Sequence, residues 1–104
     1  MKYVILVFAG ALLCNCIPHL AAGLQGAPFP TPFAKPRRAG YSPPLINFLW
    51  GALNLVGGLA ILARYPVALG ANLDCLAMGA GALPLGIYLS LHFGKLRNRP
   101  ITAP

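Results

Sequence analysis

Acidic side chains are all but missing from this chain, which has one aspartate, Asp74, and no glutamate among its 104 residues. That scarcity excludes a carboxylate pair for hydrolysis, an acidic cluster for Ca²⁺ or Mg²⁺, and a zinc site of the HExxH type. Charge of either sign is also scarce, at 9% of residues. Soluble domains carry about 25%, so a chain that is 58% hydrophobic cannot coat a compact body with polar groups and belongs in a bilayer. The three cysteines, Cys14, Cys16 and Cys75, are an odd number set in apolar runs, which speaks against a disulfide framework. The net charge of +7 comes from bases that flank apolar segments instead of lining a polar face with aromatics between them. Nucleic acid is therefore not an expected partner.

Long apolar runs are what the chain does have. A hydrocarbon core of about 30 Å takes about 20 helical residues, and residues 3–24, 45–63 and 67–93 each reach that length. The first two hold no formal charge and the third holds Asp74, whose cost of about 3 kcal/mol is outweighed by its ten Leu, Ile, Val and Phe residues. The expected fold is all-α: a single integral membrane domain over residues 1–104 with three transmembrane helices. Between the first two spans lies a connector, residues 25–44, holding Pro28, Pro30, Pro32, Pro36, Pro43 and Pro44. Proline fixes φ and lacks the N–H, so this stretch is predicted to be extended. The second connector, Arg64-Tyr65-Pro66, is so short that the last two spans should form an antiparallel hairpin. A basic tail occupies residues 94–104, and Pro84 should bend the third span.

If all three segments cross, Lys2 and Arg64 fall on one side, and Lys35, Arg37, Arg38, Lys95, Arg97 and Arg99 on the other. The positive-inside rule then places the protein in the cell inner membrane with its N-terminus outside and its C-terminus cytoplasmic. Tyr3 and Tyr65 mark one border, and Phe33, Tyr41, Trp50 and Phe93 lean to the other. A rival reading takes residues 1–23 as a secretory signal cleaved at Ala21-Ala22-Gly23. It would leave both basic clusters outside, against the charge bias.

Helices in lipid mark their contact faces with small and polar residues. The second span offers Asn47, Gly51, Asn54 and Gly58 on one stripe; the third offers Ala71, Cys75, Gly79, Ala82, Gly86 and Ser90. The two stripes are expected to meet within the hairpin, or one of them to face another chain. Asp74 inside a span is a candidate proton or cation site, or else a structural partner of Arg64 at the same border. His19 and His92 share a border and could ligate a haem or pigment metal, or stand as wet interfacial rings. Cys14 and Cys16 point about 200° apart on a helix and cannot share a metal. The connector from Pro28 to Arg38 reads as a stiff linker with topology-setting charges, although its phenylalanines and bases would also suit an anionic lipid surface or a proline-docking partner.

The run Pro18-His19-Leu20, Gly23-Leu24, Pro28-Phe29-Pro30-Thr31-Pro32-Phe33, Ser42-Pro43, Asn47, Leu49-Trp50-Gly51 and Asn54-Leu55 resembles a group of short uncharacterised bacterial multi-pass membrane proteins. The resemblance covers about the first 60 residues and implies a bacterial multi-pass protein, without implying a mechanism. No serine or cysteine has a base and an acid at recognisable spacing, so an enzyme is not expected, and no cofactor is required. The expected function is helix–helix association, as a homo-oligomer or as an accessory subunit of a larger membrane complex. The alternatives are a small transporter or channel component titrating at Asp74, and a cofactor-binding helper using His19 and His92.

Overall fold

The computed structural model describes residues 1–35 and 40–97. The expectations placed on Pro36, Arg37, Arg38 and Arg99, and on the tail beyond Arg97, lie outside the described residues. Three helices account for most of the rest: α1 (Lys2–Leu24), α2 (Pro44–Arg64) and α3 (Leu73–Arg97). Each is long and apolar enough to cross a membrane. At 1.5 Å per residue the shortest, 21 residues, still extends about 32 Å, the thickness of the hydrocarbon core.

The ends of the helices follow from local chemistry. Helix α1 closes with a Schellman motif: Gly26 adopts φ +70, its N–H reaches Gly23 O, and the Ala27 N–H reaches Ala22 O. Pro44, expected in the connector, is instead at the first turn of α2, where a missing N–H costs nothing. The third helix starts later than predicted, at Leu73 and not at residue 67. Gly70, at φ +147, breaks the chain's course, and Asn72 caps the helix by accepting the Cys75 N–H on Oδ1 at 2.9 Å. It also ends later, at Arg97, because Lys95 and Arg97 sit well in a last turn where carbonyls are exposed. Helices α1 and α3 both run on through an internal proline, Pro18 and Pro84.

These boundaries change the packing. The connector between α2 and α3 spans residues 65–72, eight residues and not three. Three residues reach about 10 Å, enough for adjacent helices only, whereas eight reach about 26 Å. The chain uses that length to step past α1. Both α2 and α3 pack on α1, and they do not pack on each other. The expected direct packing of the last two spans is thus replaced by a bundle with α1 in the middle. Helix α2 runs back along α1, since Gly58 faces Leu13 and Gly51 faces Leu20; α3 runs with it, since Gly81 faces Val7 and Gly86 faces Cys14.

The interior is small and polar, the exterior large and apolar. The buried apolar residues are Leu6, Ala9, Cys16, Ala22, Ala34 and Ala77, while Phe8, Ile17, Leu53, Val56, Leu83, Ile87 and Leu91 are exposed. A soluble core inverts this arrangement. In lipid it is the expected one, because Leu and Phe gain nothing by leaving hydrocarbon and small residues let backbones approach.

Candidate functional site

The buried residues of α2 are Asn47, Gly51, Asn54 and Gly58, and this stripe faces α1, not α3. Two of its members are met by polar residues of α1. Asn15 Nδ2 donates to Asn54 Oδ1 at 3.1 Å, and His19 Nδ1 lies 2.8 Å from Asn47 Oδ1. Asn15 was not singled out from the sequence, yet the signal was there: Asn15 and His19 are four apart, hence on one face of an apolar helix.

Asn47, fully buried, ties the proline-rich connector to the bundle. Its Nδ2 donates to the carbonyls of Phe29 at 2.9 Å, Ser42 at 3.1 Å and Pro43 at 3.3 Å. Phe29 and Ser42 exchange backbone hydrogen bonds, and the Thr31 and Ser42 hydroxyls pair with each other. The ring of Phe33 meets Trp50 edge to face at 5.1 Å. The connector is therefore a folded cap with its own internal bonds, more than the stiff linker expected.

This network fixes a tautomer. Three carbonyls surround the Asn47 amide nitrogen, so its oxygen must be the atom facing His19. An amide oxygen only accepts, so His19 Nδ1 carries the proton. In the neutral ring, Nε2 is then left as a lone-pair acceptor.

His19 and His92 are both brought to the end of the bundle where the C-terminal halves of α1 and α3 meet the N-terminal half of α2. The two rings flank Phe93, with centroids 6.5 Å and 5.4 Å from it, and His92 also stacks on Tyr88 at 5.7 Å. Both line a cavity of about 210 Å³ that Asn15, Trp50, Leu89 and residues 30–32 also line. A void of about 150 Å³ holds one benzene ring, so this one admits a substituted single ring. Among the described residues no group of three or more His, Cys, Asp or Glu could hold a metal.

Asp74 is in the first turn of α3, at the opposite end of the bundle and not seven residues into a span. Its partner is Lys2, at 3.1 Å, rather than Arg64, whose guanidinium lies over the Tyr65 ring at 5.3 Å. An acid at a helix N-terminus is stabilised by the unpaired N–H groups there. Asp74 lines none of the cavities described here.

The α3 stripe is only partly buried. Ala77 and Gly81, not among the residues singled out from the sequence, are the buried residues of α3, and Gly81 packs on the α1 backbone. A Cβ on Gly81 would collide with the Val7 carbonyl, and one on Gly10 with the Met78 carbonyl. Their signal was the four-residue spacing of small residues, Ala77 to Gly81 and Gly10 to Cys14. The predicted Gly79, Ala82, Gly86 and Ser90 lie beside that contact, along a groove of about 580 Å³ between α1 and α3 that Gly10 and Cys14 also line. Ser90 spends its hydroxyl on Ile87 O in its own helix.

The described residues thus define an all-helical chain whose three helices can each cross a bilayer. No family model, no curated protein and no solved structure matches it.

Proposed function

We propose that this is a small non-enzymatic multi-pass membrane protein that acts through helix–helix association, with the groove between α1 and α3 receiving a transmembrane helix of a neighbouring subunit. The groove itself supports this reading. It is apolar, floored by small residues, and borders the least covered helix: 6% of the apolar window of α3 is buried, against 28% in α1. In lipid, surfaces that let backbones approach closely are the ones that pair. A second copy docked isologously covers both grooves at once, whereas a subunit of a larger complex covers one.

The orientation we assign has the N-terminus outside and the C-terminus in the cytoplasm of the cell inner membrane, from the excess of bases at the connector and tail. Asp74, paired with Lys2, is read as an anchor for the first turn of α3 and not as a conducting site.

Gly79→Leu tests the proposal, because Gly79 lines the groove and a Cβ there meets no atom within 4 Å. Gly51→Leu is unsuited, since its Cβ would meet Leu20 at 2.8 Å inside the bundle. In a gentle-detergent pull-down with mass analysis, the wild-type chain should bring down a second copy or a larger assembly, and Gly79→Leu should not. A wild-type monomer, or unchanged assembly in the variant, rejects the reading.

A further inference from the structure

The cavity beside His19 has walls whose chemistry selects a ligand. Among the described residues no lysine, arginine or carboxylate lines it, which disfavours an ion. Pro30, Pro32, Trp50 and Phe93 give it flat apolar faces, which suit a ring, and its volume of about 210 Å³ matches a single substituted one. One buried polar group is left over. His19, only 3% exposed, has its Nδ1–H committed to Asn47, so Nε2 is its remaining acceptor. Trp50 contributes its flat indole face and not its N–H, which is shut off from any space a water could enter. Buried polar groups are ordinarily satisfied, and one that is not calls for a missing partner. A hydroxyl can donate to that acceptor, whereas a carbonyl or an ether cannot.

We propose that this cavity binds the hydroxyl-bearing six-membered ring of a neutral, membrane-dissolved amphiphile, the hydroxyl donating to His19 Nε2. The Asn47 amide acts as a positioning group: it fixes the imidazole's tautomer and plane, as outer hydrogen bonds do for histidines that bind ligands. The Phe29 ring is edge-on to His19 at 5.6 Å and to Phe93 at 4.6 Å and so steadies two of the rings that line the site. This site is on the connector-covered side of the bundle and is separate from the α1–α3 groove.

Trp50 is the chain's single tryptophan and serves as the reporter. The full-length protein in detergent is titrated with para-hexylphenol and with its methyl ether, which keeps the ring and tail but cannot donate. The phenol should change Trp50 emission saturably, and the ether should bind about ten-fold more weakly or less, the loss that an unmet buried acceptor causes. His19→Leu should erase the difference between the two. An equal response to both compounds, or no response to either, overturns the proposal. Should His19→Leu not fold, nitrogen NMR of histidine-labelled wild-type protein takes its place: a Nδ1–H tautomer whose Nε2 resonance moves with phenol supports the site, and an unmoved resonance rejects it. Gly79→Leu should leave the phenol response intact, so failure here is distinguishable from failure of the association reading.

Discussion

Where α1 meets α2, the seam is closed by polar pairs in the interior, Asn15 with Asn54 and His19 with Asn47. Where α1 meets α3, no side-chain hydrogen bond joins the two helices among the described residues apart from the terminal Lys2–Asp74 ion pair, and the contact rests on Gly10, Ala77 and Gly81. Hydrogen bonds are directional and specify depth and rotation; close packing of small residues specifies distance and little else. Helix α2 is thus pinned in register, while α3 is held by shape. The difference fits the division of labour proposed above, in which the ring-binding cavity is at the end of the bundle where His19 is pinned to Asn47 and the shape-held seam receives another helix.

The comparison is most severely strained by Asn47→Leu. That change strands the Nδ1–H of a buried histidine and removes three bonds to the connector, so it should cost about 3 kcal/mol, at the upper end for an unsatisfied buried group. Thermal unfolding in detergent, read by Trp50 emission, checks it; an unchanged midpoint would mean that the seam is not held by this knot. Next comes Gly81→Leu, which overpacks the other seam against the Val7 backbone by about 2 kcal/mol. It should raise the thiol-reagent rate of Cys14, which lines the α1–α3 groove, and leave the Trp50 transition nearly in place. A lost Trp50 transition would show that the two seams are not separable. Asn54→Leu removes one interhelical bond in the apolar region and should lower stability by about 1 kcal/mol, read as a smaller fall in the midpoint. The smallest effect belongs to Lys2→Ala, whose ion pair is half-exposed on the lysine side; its midpoint should stay within experimental scatter.

Much of α2 was legible because its signal is periodic: Asn47, Gly51, Asn54 and Gly58 recur at helical spacing in an apolar helix, and the structure buries all four. Which neighbour they face was not legible. That depends on where α3 begins, and the apolar Val67-Ala68-Leu69 disguised a connector that the Gly70 backbone and the Asn72 cap bring to an end six residues later than expected. A few residues of chain then decided whether α3 could lie beside α2 or had to reach past α1. The pairing of Asp74 was misjudged for the same reason, since a later start carries the carboxylate to the helix terminus beside Lys2. The cavity was half visible: His19 and His92 share a border by count alone, but the connector that encloses them folds through Thr31–Ser42 and Asn47 bonds between residues distant in sequence. Proline content announces an extended segment and says nothing of what it lies against.

The pairing of Phe29 with Ser42 has one more consequence, for anyone who wants to follow this protein in a living membrane. Both ends of the intervening segment are clamped, and within it the Gly40 backbone packs against the Lys35 carbonyl. Lengthening a loop whose ends already touch is inexpensive, about 0.6 kcal/mol for each doubling. An epitope or a small dye-binding peptide spliced into the segment clamped by Phe29 and Ser42 should therefore leave the helices beneath it undisturbed.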